Sequence, residues 1–410
     1  MQIMRSRASD GRVSLILIFS YVFDWIIIIL AAVVGAIFSA ITPNKRPFSL
    51  NNAEISYPYV TKEKISTATL ILCGLVAPAV IILLVCLLLV PGPTVPKSTP
   101  KALVWQRKLW EWHTGWLGLG LSLAAAFLIT NGMKNLFGKP RPDLLSRCNP
   151  DLQNVAQYAV GGFPNALEGF NVVSAAICQQ SDKSLLNDGF RSFPSGHSSF
   201  SAAGLVYVSL FLASKLAITI PFLAPSSHSR KGSRFSAFPS RAEKSSIEIQ
   251  RIGGGQDKDL RDTSNQIQHP SGHNDAIIAA RNQAAAPPVY LLIFAIIPFF
   301  ASIYISSTRY SDFKHHGFDI LFGYFIGTIT SVFAFQYYHL PISQGGGWSW
   351  GPRSRDRSFW AGVGVGNYVG SNETTDSKVD NADMESGTGN RVVANEADAL
   401  GAGEEGSQRL

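Results

Sequence analysis

The chain has 410 residues, of which 46% are hydrophobic and 15% charged, where a soluble chain would carry about a quarter charged residues. The charge deficit is concentrated in long apolar runs, which excludes an ordinary soluble globular protein and points to a polytopic membrane protein. The net charge of +7 is not laid out as a basic stripe interleaved with aromatics, so nucleic acid is excluded as a partner.

Residues 1–24 read as a cytosolic or interfacial N-terminus, because Asp24 separates Val13–Phe23 from the first candidate span, Trp25–Ile41. This leading apolar region is too long for a signal-peptide core, and no small-residue cleavage site follows it. The next spans are Thr67–Val90, closed by Pro91-Gly92-Pro93, and the Gly-rich Thr114–Ile129. Ser198–Phe222, Val289–Ser307 and Gly317–Tyr338 complete the set. About twenty residues cross a bilayer core, so the pattern predicts an all-α fold, a six-transmembrane helix bundle. Its membrane core occupies 25–223 and 287–340. The Ser-, Arg-, Gln- and Gly-rich stretch 224–286 reads as a disordered cytosolic insertion, and 341–410 as a disordered cytosolic tail, acidic beyond Ser371.

Basic residues set the expected orientation. Arg5, Arg7 and Arg12 precede span one, Lys97, Lys101, Arg107 and Lys108 lie between spans two and three, and Arg230, Lys231, Arg234, Arg241 and Lys244 between spans four and five. Both termini are then cytosolic, in spite of Lys45, Arg46, Lys62 and Lys64 in the first outer loop. On this topology the sequon Asn372-Glu373-Thr374 is cytosolic and unused. Trp348 and Trp350 read as interfacial anchors. Cys73 and Cys86 are packed thiols in an apolar run, whereas Cys148 and Cys178 share a polar loop and could pair if it faces an oxidising lumen.

Three polar clusters sit at span borders, where charge is costly unless it serves a function. The first runs from Lys134 to Pro142 and holds Lys134 and Arg141, seven residues apart. A helix continuing from span three would put both on one side, until Pro140 and Pro142 end it. The second is Pro194-Ser195-Gly196-His197. With proline in a first helical turn, Ser195 and Gly196 would offer unpaired N–H groups to an anion, and His197 a proton to a departing alkoxide. The third runs from Arg309 to Asp319. Arg309 offers a bidentate fork to phosphate oxygens. His315 and Asp319, four apart on a helix, would share a face, with the carboxylate fixing the imidazole as a nucleophile. His316, three from Asp319, is a rival for that place.

These clusters match Lys-x6-Arg-Pro, Pro-Ser-Gly-His and Ser-Arg-x5-His-x3-Asp, with Thr308 in place of the first serine of the third. By these motifs the chain resembles the type 2 phosphatidic acid phosphatase superfamily over roughly residues 20–340, minus the insertion. Ile55-Ser-Tyr-Pro-Tyr59, Arg141 to Cys148, Phe190 to Gly204 and Ser311 to Asp319 resemble eukaryotic lipid phosphate phosphatases, fungal diacylglycerol pyrophosphate phosphatases in particular. The resemblance implies that His315 forms a phosphohistidine, with Asp319 orienting it and His197 as the acid. Lys134, Arg141, Arg309, Ser195 and the Gly196 amide would hold the phosphate. It further implies no metal or other cofactor, and a membrane phospholipid substrate: phosphatidic acid, diacylglycerol pyrophosphate or lysophosphatidic acid. The site would face the lumenal or extracellular side of a vacuolar, Golgi, ER or plasma membrane. A sphingoid-base or other phosphomonoester phosphatase of the same superfamily, such as a sugar phosphatase, and a catalytically silent lipid-binding relative stay open as alternatives, as does a homo-oligomer.

Overall fold

Six helices are long and apolar enough to cross a membrane among the residues described by the computed structural model, which are 15–92, 95–96, 98–162, 171–218, 286–342 and 347–353. The expected insertion, apart from residue 286, and nearly all of the expected tail lie outside these residues, as does Asn372. The spanning helices are α1 (Leu15–Ala40), α2 (Thr67–Leu88), α3 (Lys101–Phe137), α6 (Gly196–Lys215), α7 (Val289–Ser311) and α8 (Gly317–Tyr338). Two short helices lie between α3 and α6: α4 (Leu144–Cys148) and α5 (Lys183–Gly189).

Residues 1–23 and 351–410 form one compact unit and 24–350 another. In the described part of the smaller unit, the Arg353 guanidinium lies 4.6 Å from the Tyr21 ring and donates to the Ser20 carbonyl at 3.1 Å. All elements beyond residue 23 described below belong to the larger unit.

Several boundaries differ from the sequence reading, with α6 ending at Lys215 short of Phe222 and α7 running past Ser307 to Ser311, and three of the differences bear on the site or its packing. The first helix does not break at Asp24 but runs through it, because a single carboxylate can be met from a neighbouring helix, here by the Tyr338 hydroxyl at 3.4 Å. The third helix is 37 residues long, about 55 Å at the α-helical rise, so it overshoots a core of about 30 Å. It ends at Phe137, before either proline, because Gly138 takes a left-handed conformation (φ 55°) and its N–H caps the Lys134 carbonyl. Lys134 and Arg141 are therefore not carried by one continuous helix. Pro194 likewise lies outside α6, where Ser195 is the N-cap and Gly196 the first helical residue.

The centre of the bundle is α6, which packs against α3, α7 and α8. Small residues bring α8 against its first turns: a Cβ at Gly323 would lie 2.5 Å from the Ser195 carbonyl oxygen, and one at Gly327 2.3 Å from that of Ser199. Such contact replaces the hydrophobic drive that helices lack in lipid, and it fixes the second polar cluster against the third. The core here includes Ile82, Leu119, Ala203, Tyr207, Phe211 and Phe335.

A cap unforeseen in the sequence covers the motif-bearing end. Strands β1 (Phe48–Ser49), β2 (Ala159–Gly162) and β3 (Asn171–Val173) form an antiparallel sheet in the order β1-β3-β2, with Phe48 opposite Val173. Its own core joins Phe48, Ile55, Leu144, Val173, Ile177 and Phe190. Cys148, buried in that core, is disulfide-bonded to Cys178, which packs against it.

After α8 the chain turns back, and residues 338–340 bond to 348–350 through Leu340 N to Trp348 O (3.1 Å) and Trp350 N to Tyr338 O (3.0 Å). Trp348 stacks under the Arg107 guanidinium at 4.3 Å, and the Trp350 indole donates to the Gln336 carbonyl. The two tryptophans are thus packing groups of the bundle, beyond the interfacial anchoring expected of them.

Candidate active site

The three polar clusters meet at one end of the bundle. Lys134 comes from the last turn of α3, Arg141 from the connection to α4, Ser195 to His197 from the start of α6, and Arg309 from the last turn of α7. His315 lies in the link between α7 and α8, and Asp319 in the first turn of α8.

His315 is almost fully buried, and its Nδ1 lies 2.6 Å from the Ser192 carbonyl oxygen. A carbonyl only accepts, so Nδ1 carries the proton and Nε2 keeps its lone pair. Burial above all, and then the charges of Arg141 and Lys134, push the His315 pKa well below the ordinary histidine value. The ring is thereby held neutral and nucleophilic among cations.

The expected contact of Asp319 with His315 is replaced by another arrangement. Helix α8 begins only at Gly317, so the two residues do not share a helical face. Asp319 instead accepts from Ser192 Oγ (2.6 Å), Lys139 Nζ (2.8 Å), His316 Nδ1 (3.1 Å) and the His316 amide (3.2 Å). Ser192 joins the two, with its hydroxyl on Asp319 and its carbonyl on His315. The ring of His316, the rival nucleophile, is committed to Asp319.

His197 is half-buried, and its Nε2 lies 3.5 Å from Arg309 Nη1. Ser195 Oγ caps α6 by accepting from Ser198 N (3.4 Å), while the Ser195 amide donates to the Asp319 carbonyl (2.9 Å). That amide is therefore not open to an anion, whereas the N–H groups of Gly196 and His197 lie in the first helical turn, where no carbonyl partner exists within the helix. Gly196 leaves room for Lys134, whose Nζ would stand 2.9 Å from a Cβ added there.

Behind these groups runs an unbroken chain of ion pairs. Arg141 Nη2 contacts Asp188 (2.8 Å), whose other oxygen takes Arg147 Nη1 (2.9 Å). Arg147 makes a two-point contact with Asp143, both at 2.9 Å. Lys314 Nζ then reaches Asp143 (3.5 Å) and Glu63 (3.7 Å), and Glu63 holds Arg309 (2.8 Å), which also binds Asp312 (2.8 Å). The Tyr59 ring lies between Arg147 (4.7 Å) and Lys314 (4.1 Å). Burial opposes ionisation of Asp188, but Arg141, Arg147 and Lys134 outweigh it and bring its pKa down to about 2. The two candidate phosphate-binding arginines are thus held at opposite ends of one network.

Sequence reasoning missed Ser192, Lys139, Arg147, Asp188, Lys314 and Glu63. Lys139 and Lys314 lie inside the motifs, at positions that the motif patterns leave free. Ser192 and Asp188 carry no signal beyond closeness to the second cluster, and Glu63 reaches Arg309 across 246 residues. Among the described residues no group of three or more His, Cys, Asp or Glu is placed to hold a metal ion.

A model of the PAP2 superfamily matches residues 115–342. The chain is 32% identical over 181 residues to diacylglycerol pyrophosphate phosphatase 1 of Saccharomyces cerevisiae, covering 44% of this chain and 54% of that protein. It is 33% identical over 174 residues to a probable diacylglycerol pyrophosphate phosphatase 1 of Schizosaccharomyces pombe, covering 42% and 52%. A PA-phosphatase related-family protein of Dictyostelium discoideum is 31% identical over 201 residues, covering 48% and 53%. The chain spans about half the length of the curated relatives it matches. No solved structure matches it.

Proposed function

The chain belongs to the PAP2 superfamily, and from that premise we propose that it is an integral-membrane lipid phosphatase acting on phosphatidate and diacylglycerol pyrophosphate through a phosphohistidine. The observation that carries the reading is His315, a buried neutral imidazole with Nε2 open, held among Lys134, Arg141 and the His197–Arg309 pair. The names of two fungal relatives support the substrate class.

In the first step His315 Nε2 attacks phosphorus, and the bond from phosphorus to the lipid oxygen breaks. His197, protonated once the phosphate dianion is bound beside it, delivers that proton to the oxygen and is left neutral. In the second step His197 takes a proton from water, whose oxygen attacks phosphorus. The N–P bond then breaks, releasing inorganic phosphate and restoring His315. Lys134, Arg141, Arg309 and the Gly196 amide hold the equatorial oxygens, where removal of one such donor costs about 100- to 1,000-fold. Ser195 acts by capping α6, which fixes that amide. Asp319 is a positioning residue, acting on His315 through Ser192.

We assign the site to the lumenal or extracellular side, with both termini cytosolic. The disulfide in the cap over the site supports this orientation, as does the basic charge of the loops at the other end.

The test is phosphate release from phosphatidate in detergent micelles containing EDTA, for wild type and His315→Ala. The reading expects release that survives chelation and is abolished by the substitution. Release that disappears on chelation, or that survives His315→Ala, sinks it.

A further inference from the structure

Charge is unevenly balanced around the site. The ion-pair chain with Lys139, Asp319, Lys134 and Arg191 contains seven cations (Lys134, Lys139, Arg141, Arg147, Arg191, Arg309, Lys314) and five carboxylates (Glu63, Asp143, Asp188, Asp312, Asp319), a surplus of two positive charges. The surplus lies on one side. Lys139, Arg147, Arg309 and Lys314 each contact a carboxylate, while Arg141 shares Asp188 with Arg147. Among the described residues, neither Lys134 nor Arg191 has a carboxylate within 4 Å.

Arg191 belongs to none of the three motifs. Its Nη2 donates to the carbonyl of Ile41, just past α1, at 2.5 Å, and its Nε is buried without a partner. The Nε of Arg141, a residue only 7% exposed, is likewise buried and unpartnered. Lys134, Arg141 and Arg191 repel one another around Asp188, a single carboxylate that attracts all three and is shared with Arg147. Buried donors left unmet are costly, and crowded like charges add to the cost unless an anion joins them.

The terminal phosphate of a substrate has three free oxygens, which Lys134, Arg309, the Nη groups of Arg141 and the first amides of α6 already match. Arg191 is therefore surplus to a single phosphate. We infer that Arg191 and the Nε edge of Arg141 form a second anion subsite, which takes the inner phosphate of a diphosphate lipid. The inference rests on reading the site as a lipid phosphatase. When a diphosphate is cleaved, the bond broken joins the outer phosphorus to the bridging oxygen. The leaving group is then a phosphate monoester on which negative charge grows, and Arg191 stabilises that charge. When a monophosphate is cleaved, the leaving group is an alkoxide that depends on the His197 proton.

The experiment measures kcat/KM for diacylglycerol pyrophosphate and for phosphatidate on the same preparations of wild type, Arg191→Gln and Arg191→Lys. Taking the ratio of the two substrates cancels any loss of folded protein. The subsite predicts that this ratio falls about tenfold in Arg191→Gln, the loss of one charge-assisted contact. Arg191→Lys keeps the charge but lacks the planar fork, and its ratio is predicted to lie between the other two. Inorganic pyrophosphate is predicted to lose more potency as an inhibitor than inorganic phosphate in Arg191→Gln. A ratio that is unchanged, or that shifts toward the diphosphate, overturns the subsite while leaving the phosphatase reading intact. Wild-type protein that hydrolyses neither lipid overturns the phosphatase reading, and the subsite with it.

Discussion

At the end of the bundle opposite the site, Glu111 on α3 is fully buried and both of its oxygens are engaged. Lys215 Nζ lies 2.5 Å from one, and Ser349 donates its amide at 3.2 Å and its hydroxyl at 2.9 Å. Lys215 also donates to the Gly347 carbonyl. His339 beside it is stacked on Phe335 at 4.8 Å, and burial, with Lys215 adding to it, takes its pKa down to about 3. At the motif-bearing end charge is buried as deeply, yet among the described residues Lys134 makes no direct ion pair, two guanidinium Nε groups have no acceptor, and the His315 Nε2 is open. A closed set of charges fixes how the chain packs, and an open set awaits a ligand. Burial alone does not distinguish the two, nor do unmet neutral groups, since both ring nitrogens of His339 are buried without partners at the closed end; the pairing of the charged groups does.

Substitutions at the two ends should therefore fail differently. The largest effect is expected from His315→Ala, with hydrolysis falling at least about a thousandfold while the melting temperature in detergent holds. A large loss of melting temperature with little loss of rate per folded molecule would move His315 into the structural class. Glu111→Leu strands the Lys215 charge and is expected to destabilise the fold by about 3–5 kcal/mol, read as a lower melting temperature with the rate per folded molecule retained. The double variant Glu111→Leu/Lys215→Met should recover most of that stability. Failure to recover would mean that the pair is not closed as described.

Ser192→Ala keeps the carbonyl that orients His315 and removes the hydroxyl on Asp319. Its expected cost is about 1.5–3 kcal/mol, or roughly 10- to 100-fold, borne by kcat with KM nearly unchanged. A change confined to KM would place Ser192 in substrate binding instead. The smallest effect is on stability against pH. His315 has a depressed pKa when folded, so below its unfolded value of about 6.5 the unfolded chain binds the extra proton and stability falls with pH. Melting curves between about pH 7.5 and 5.5 should show this decline, and it should be shallower in His315→Asn. An equal slope in that variant would mean that His315 titrates normally in the folded protein.

The spans and the three clusters were legible because each is local. Long apolar runs read as helices, and α8 starts and stops where its composition changes. What escaped depends on distant parts of the chain meeting. The cap is built from strands of two to four residues, too short for an alternating pattern to register. Helix α3 outran its apolar stretch at its N-terminal side because Lys101, Gln106, Arg107, Lys108 and Glu111 are good helix formers, and at its other side it stopped at Gly138 instead of Pro140. The spacing of four between His315 and Asp319 suggested a shared helical face, but the helix starts two residues after His315. Arg191 resembles any cation near a membrane border until its neighbours are known.

The central claim is that His315 becomes phosphorylated during turnover. Wild-type protein mixed with phosphatidate radiolabelled in its phosphate, then quenched in alkali where phosphohistidine survives, should carry label on the peptide containing His315. Mass-spectrometric fragmentation should assign it to that ring, and His315→Ala should carry none. Label on His316 or His197, or full turnover in His315→Ala with no labelled protein, would contradict the account.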